Sequence, residues 1–289
     1  MLAQQLVNGL QLGGAYALVA VGYTLIFGVL SLLHLAHGEV FMVGAYVGLA
    51  LALAGAPFWA ALLGGMAGAA ILGLVVERLA FRPVRDRGSH VTPLMTTIAV
   101  SLVLQHAVVK LYGAEPVAFP QVFAAVRLSL GPVTVTSLQL VILGTSLALM
   151  ALLDVILRRT WLGKAIRATA ENPTVAVLLG VNVSLAIAAV FVLASALAGA
   201  AGVLLAANFT AVTPFFGVKV GLKALAVMLV GGLGNVPGAM VGGVLVGVVE
   251  ALSVGYLASS YRDAFAFGVM ILILLVRPTG LFGARLSTV

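Results

Sequence analysis

Long, unbroken apolar runs dominate this chain, and they leave very few folds open to it. A hydrocarbon core takes ~20 consecutive apolar residues per helical span, and the sequence supplies about eight such stretches. They fall near 5–32, 38–55, 58–80, 92–113, 136–157, 184–207, 223–254 and 264–282. A closed β-barrel is the other structure that satisfies its backbone inside a membrane, but barrel strands alternate apolar and polar residues. Here the runs are continuous and rich in Leu, Ala, Val and Gly. The expectation is an all-α, polytopic transmembrane helix bundle of about eight spans, forming one domain over 1–289. The last long run is interrupted at Gly234-Asn235-Val236-Pro237-Gly238, and the first passes into a polar turn at 31–39. One or two broken or re-entrant segments are therefore expected.

Composition agrees. Of 289 residues, 63% are hydrophobic and 8% charged, against about 25% charged in a soluble domain. Mean hydropathy is +1.23. Cysteine is absent, which removes disulfides and thiolate metal sites. The opening residues lack the basic n-region and small-residue cleavage site of a signal peptide, so the first apolar segment is expected to be retained.

The net charge of +7 does not indicate nucleic acid, because no basic face accompanies a soluble domain. The basic residues gather where the positive-inside rule puts them. Arg78, Arg82, Arg85 and Arg87 occupy 77–91, and Arg158, Arg159, Lys164 and Arg167 occupy 158–182. Arg277 and Arg285 follow the last run. These segments are expected in the cytoplasm, and the proline-containing 114–135, with only Glu115 and Arg127, outside. No basic residue precedes Arg78, so the side of the N-terminus stays open.

Small residues recur four apart at Gly9/Gly13, Gly64/Gly68, Ala198/Gly202, Gly238/Gly242 and Gly243/Gly247. Lipid is as apolar as leucine, so membrane helices associate through close backbone approach at such pairs.

The 158–182 segment is too patterned for a simple connector. Lys164 to Glu171 reads as a short helix of good formers. Asn172 then serves as N-cap and Pro173 as first helical residue of a second short helix, Thr174 to Leu179. Gly180 supplies a left-handed stop. The product is a helix–turn–helix knob whose Val175, Val177, Leu178 and Leu179 exceed what a solvated loop needs. A headgroup-lying helix is one reading, and a docking element for a cytoplasmic partner is the preferred one. Gly163-Lys164 is followed by Ala165, and Arg158 stands where a P-loop's first glycine belongs. No nucleotide site is expected, and any ATP-driven step needs another subunit.

His34, His37 and Glu39 are close enough in sequence to suggest a metal. Gly38 interrupts them and the order matches no metalloprotease helix, so a polar turn lining a water-accessible region is preferred. Ionisable groups at membrane depth are costly and face the bundle interior, which makes His37 and Glu39 translocation-pathway candidates. Glu250 is expected either to pack against other helices or to lie near the outer interface. Gly231 to Gly238 lacks the preceding strand of a dinucleotide loop. A broken helix lining a cavity accounts for it better, and adds Asn235 to the pathway candidates. Gln105, inside a span, is either a pathway residue or a structural polar contact.

Four blocks carry a family resemblance: GLQLGGAYALVAVGYTLIFGVLSLLHLAHGEVFMVGAY at 9–46, ERLAFRPVR followed by TPLMTTIAVSLVLQ at 77–105, GKAIRATAENPTVAVLLGVNV at 163–183, and KALAVMLVGGLGNVPGAMVGGVLVGVVE at 223–250. In this order they resemble the permeases of branched-chain amino acid ABC transporters, and among those the shorter of the two permease types. One departure is His34-Leu35, where relatives often carry Asn and Phe before Ala-His-Gly.

The resemblance implies a multi-pass protein of the bacterial inner membrane, without cofactor or catalytic site. It implies a heterodimer with a second permease subunit, two cytoplasmic ABC ATPase subunits and an external substrate-binding protein. The knob would then be the coupling region, through Gly163, Lys164, Arg167, Ala168, Glu171, Asn172, Pro173 and Gly180. A secondary transporter driven by protons or sodium is the alternative, with Glu39 and Glu250 as the plausible acids. An intramembrane enzyme using His34, His37 and Glu39 is a third. The family default cargo is leucine, isoleucine and valine, while relatives carry urea and short amides.

Overall fold

The computed structural model describes residues 1–85, 91–121, 126–130, 133–257 and 261–283. Arg87 and Arg285, used above to orient the chain, lie outside these residues.

Helix α1 (Leu2–Leu30) is followed by α2 (His37–Leu53) and α3 (Phe58–Val76). The latter continues through a π-helical turn, Glu77–Phe81, into α4 (Arg82–Arg85). Helices α5 (Val91–Tyr112) and α6 (Ser137–Arg159) precede the short pair α7 (Trp161–Glu171) and α8 (Pro173–Leu178). Then come α9 (Val183–Phe209), α10 (Phe216–Gly231), α11 (Val236–Tyr256) and α12 (Arg262–Val276). Two small antiparallel ladders decorate one end: β1 (Val117–Ala118) pairs with β4 (Ala211–Val212), and β2 (Arg127–Leu130) with β3 (Val133–Thr136).

The helical expectation is met, and fewer than eight single helices reach full-span length. Among the described residues, six helices are long and apolar enough to cross a membrane: α1, the continuous Phe58–Arg85, α5, α6, α9 and α11. Helices α2, α10 and α12 have 17, 16 and 15 residues, short of the ~20 of a full span. Each has a local cause. Residues 31–36 spend chain on a non-helical segment before α2. The run at 223–254 divides at 232–235 into α10 and α11, where Gly232 and Gly234 take positive φ and Asn235 caps the new helix. Helix α12 stops before Pro278, with Arg277 extended as a pre-proline residue prefers.

Helices α1 and α9 form the centre of the bundle, and α5 stands at its periphery. The most extensive interface joins α1 to α11. Its contact is glycine on glycine: a Cβ at Gly13 would lie 2.7 Å from the Gly243 carbonyl oxygen, and Gly247 abuts Gly13. Two of the small-residue pairs read from the sequence, Gly9/Gly13 and Gly243/Gly247, are thus each other's partners.

The chain turns back at Ser31, a left-handed residue that ends α1. His37, at the start of α2, packs against Gly22, so 31–36 climbs alongside the last turns of α1. The 31–39 interruption is a non-helical segment followed by α2, not a continuous helix.

The two ends of the bundle differ in charge. Phe81, amid Arg78, Arg82 and Arg85, packs on Phe191 near the start of α9 at 5.3 Å between ring centroids. This places the two basic segments at one end, which also holds the α7–α8 knob. At the other end Gln4 donates to the Thr134 carbonyl (2.9 Å) and accepts from the Thr134 N–H (2.8 Å). The N-terminus, left open by charge, therefore shares an end with the 114–135 segment.

Candidate functional site

Three places bring polar chemistry into this apolar bundle. The first is the knob. Thr160 caps α7 by accepting from the Gly163 N–H at 3.1 Å. Gly163 lies so close to the Ile156 and Leu157 carbonyls that a Cβ would overlap both. The Arg167 guanidinium donates to the Leu157 carbonyl. Glycine and arginine together fasten α7 to the end of α6. Asn172 caps α8 by accepting from Val175 N–H at 3.1 Å, Pro173 opens it, and Gly180 closes it at φ +79°. Helix α7 buries Gly163, Ile166 and Thr169 and turns Lys164, Arg167 and Glu171 outward, with Ala168 half-buried. Lys164 Nζ lies 4.6 Å from the centre of the Trp161 ring. The knob leaves apolar side chains bare: Trp161 is 83% exposed, Leu178 82% and Leu179 74%.

Beside the knob is a cavity of about 500 Å³ lined by Thr24, Gly28, Asp154, Arg167, Gly234 and Asn235, among others. Asn235 accepts from the Gly238 N–H at 2.9 Å and donates to the Phe282 carbonyl at 2.8 Å. It is the cap of α11 and also ties down the segment after α12.

The second place is deeper, where α2, α5 and α10 meet. Glu39 is 2% exposed and lines a cavity of about 190 Å³ with Tyr23, Ser101, Gly217 and Gly221. Ser101 donates to Glu39 Oε1 at 3.3 Å, and the fully buried Oε2 has no hydrogen-bond partner among the described residues. His37 does not share this cavity. It is fully buried edge-on to Tyr23, 4.7 Å between ring centroids, while His34 leans on Phe191 at 5.3 Å. Gln105 stands half-buried on α5, one turn beyond Ser101. Of the four pathway candidates, Glu39 and Asn235 line cavities, and those cavities are different ones. Among the described residues, no three His, Asp or Glu side chains are grouped so as to hold a metal.

The third place is a buried ion cluster. Glu250 Oε1 accepts from Tyr16 Oη at 3.0 Å and Lys223 Nζ at 3.2 Å, and pairs with Arg262. Lys223 also reaches Asp263 at 2.6 Å. Next to it, Gln5, Asn8, Gln11, Gln139 and Asn208 surround a carboxamide-rich cavity of about 300 Å³ with Arg262. Gln11 donates to Asn208 at 2.5 Å and Gln139 to Asn8 at 3.0 Å.

A helix that begins partway along the bundle, a basic end with a projecting knob, and buried charges held inside are the parts of a membrane transport protein. Comparison with known proteins identifies which kind. A family model described as "Branched-chain amino acid transport system / permease component" matches residues 5–274. The chain belongs to this family. It is 39% identical to the LivH high-affinity branched-chain amino acid transport system permease protein of Salmonella typhimurium, over 97% of this chain and 95% of the relative. It is 38% identical, at the same coverage, to BraD of Pseudomonas aeruginosa, named with the same function. A probable LivH of Methanocaldococcus jannaschii is 32% identical over 92% of this chain and 88% of the relative. Among solved structures, PsaBC from Streptococcus pneumoniae in complex with Fab aligns with a TM-score of 0.51 and 13% identity. That match covers 95% of this chain and 92% of the other and speaks to the fold alone.

Within this permease, sequence reasoning missed Lys223, Arg262, Asp263 and Tyr16 as partners of Glu250. A signal was present. Lys223 and Glu250 are opposite charges flanking one apolar run, and burial of either is affordable only if paired. Nothing in the sequence indicates that Arg262 and Asp263 fold back from α12 to join them.

Proposed function

We propose that this chain is the permease subunit of an ATP-binding-cassette importer, forming part of the membrane pathway for branched-chain or related amino acids. Residues 1–289 act as one permease domain with its coupling loop at 158–182. A second permease subunit, two cytoplasmic ATPases and an external substrate-binding protein complete the machine. It sits in the bacterial inner membrane with the knob in the cytoplasm and the N-terminus outside, and the shorter helices α2, α10 and α12 belong to the same embedded bundle.

The observation that carries this reading is the knob: a helix pair fastened to α6 by Gly163 and Arg167, with bare apolar side chains beside exposed charges. A solvated loop has no use for exposed Trp161, Leu178 and Leu179, whereas a protein interface centres on such residues. In this reading Lys164, Arg167, Ala168 and Glu171 face the ATPase, and Gly163, Asn172, Pro173 and Gly180 give the knob its shape. ATP-driven rearrangement of the ATPases then moves α6 and α9, which begin and end the knob. Glu39, His37, Gln105 and Asn235 remain the proposed pathway residues, with Glu39 the most directly placed.

The test is uptake of labelled leucine into proteoliposomes holding the whole complex, with ATP inside and binding protein outside. Uptake is expected to require both. Leucine accumulation driven by a proton or sodium gradient, with the ATPase subunits omitted, would overturn the reading in favour of an ion-coupled carrier.

A further inference from the structure

The carboxamide-rich cavity lies where five helix ends meet, at the end of the bundle opposite the knob. Gln5 and Gln11 come from the start of α1, Gln139 from the start of α6 and Asn208 from the end of α9. Val254 comes from the end of α11 and Arg262 from the start of α12. Gln5 to Gln11 covers about 9 Å of α1, so the cavity runs inward from the rim, and Gln11, 3% exposed, is among its deepest residues. These side chains hold one another with only part of their hydrogen-bonding capacity. Gln11 gives Nε2 to Asn208 at 2.5 Å, Asn8 gives Nδ2 to Gln5 at 3.4 Å, and Arg262 meets Glu250 through Nε. Gln11 Oε1, Asn208 Nδ2, Gln5 Nε2 and the two terminal nitrogens of Arg262 have no partner among the described residues, and none of these atoms is fully buried. The Arg262 guanidinium is held over the Phe209 ring, 5.3 Å from its centre.

We infer that this cavity is an outer binding site for cargo, in which Arg262, Gln5 and Asn208 receive the carboxylate of an α-amino acid and Gln11 Oε1 receives its ammonium group. Guanidinium and amide N–H groups suit a carboxylate, and a carboxamide oxygen accepts from an ammonium. Net charge narrows the class further. Lys223 and Arg262 are balanced by Glu250 and Asp263, and the carboxamides are neutral, so the site suits a ligand whose own charges cancel. A cavity of about 300 Å³ has room for one small zwitterion, with Leu12, Ala251 and Val254 as an apolar wall beside it. Recognition falls on the groups common to all α-amino acids, so this site reads the head of the cargo. In the proposed orientation it opens on the side from which the binding protein delivers.

This inference rests on the proposed import of amino acids, and the experiment separates the two. Labelled leucine is bound to the complete permease–ATPase complex in nanodiscs, without binding protein, and saturable binding is expected at up to millimolar leucine. Leucinamide lacks the carboxylate and 4-methylpentanoate lacks the ammonium, so each is expected to displace the label at least about tenfold more weakly than leucine. Asn208→Leu and Gln11→Leu are each expected to weaken leucine binding about tenfold, with basal ATP hydrolysis reporting assembly. Gln11→Leu removes the acceptor for the ammonium and is expected to bring leucine and 4-methylpentanoate within about threefold of each other. Mere loosening of the bundle does not produce that change. The competition on wild type decides the matter even where a variant fails to assemble. Absence of saturable binding, displacement by either analogue as strong as by leucine, or unchanged binding in both assembled variants overturns the site. ATP-driven leucine uptake by the wild-type complex then still upholds the import function, and failure of that uptake removes the function itself.

Discussion

Lys223 Nζ lies 3.2 Å from Glu250 Oε1, and the pair, 27 residues apart on α10 and α11, is almost completely buried. Tyr16 from α1 and Arg262 from α12 close on the same carboxylate. Four helices therefore meet on one oxygen atom. Such a buried cluster is an alignment device, since separating α10, α11 or α12 strands a charge.

Replacing Glu250 by alanine leaves Lys223 and Arg262 facing each other, and a loss of about 3 kcal/mol or more is expected, as for other broken buried pairs. Asp263 is 60% exposed at its side chain, so Asp263→Asn is expected to cost less than about 1 kcal/mol. Thermal unfolding of the purified permease in detergent compares them. Equal losses would mean that burial at Glu250 is not what matters.

The α1–α11 contact predicts a second effect. A side chain at Gly13 has no room, because a Cβ there already lies 2.7 Å from the Gly243 carbonyl and from Val244 Cα. Gly13→Leu is expected to destabilise by about 1–3 kcal/mol through overpacking. Gly144, on α6 and with open space around its Cβ position, is the control: Gly144→Ala should leave the melting temperature unchanged or raise it.

Knob geometry can be separated from knob surface. Gly163→Ala pushes α7 off the Ile156 and Leu157 carbonyls and tilts the whole knob. Uptake per ATP hydrolysed is expected to fall about threefold to thirtyfold, a typical range for altered coupling, with the membrane bundle still folded. The readout is the ratio of labelled leucine imported to phosphate released.

Leu178→Asp changes the knob's surface without touching the bundle, since Leu178 is largely exposed. Loss of a central apolar anchor is expected to weaken ATPase association by about 2 kcal/mol or more. Co-purification of the ATPases with tagged permease measures it, and undiminished recovery at low ATPase concentration would place the interface elsewhere.

Much of this was legible in the residues. The knob's two helices, the Asn172 cap, Pro173 at the first turn and the stop at Gly180 follow from local backbone chemistry, which a sequence displays directly. The break before α11 was visible for the same reason. What was hidden depended on contacts between distant segments. Apolar length does not reveal that 31–36 climbs back alongside α1, and so eight apolar runs gave six full-length helices. From the sequence Asn235 reads only as a pathway residue, and the Gly238 bond shows that it caps α11, while its bond to Phe282 holds the segment after α12. Glu39 was singled out for its charge, but its aliphatic surroundings come from α5 and α10, far away in the chain.

The ion cluster has a final consequence, for voltage. Moving one elementary charge across a membrane potential involves about 2.3 kcal/mol per 100 mV. With Lys223, Arg262, Glu250 and Asp263 ionised, the two cations and two anions sum to zero. The cluster itself can then shift with α10, α11 and α12 with no net electrical work, while Lys219, also on α10, adds a charge outside it. The cluster's share of such a movement is blind to the membrane potential, the same in an energised and a depolarised cell.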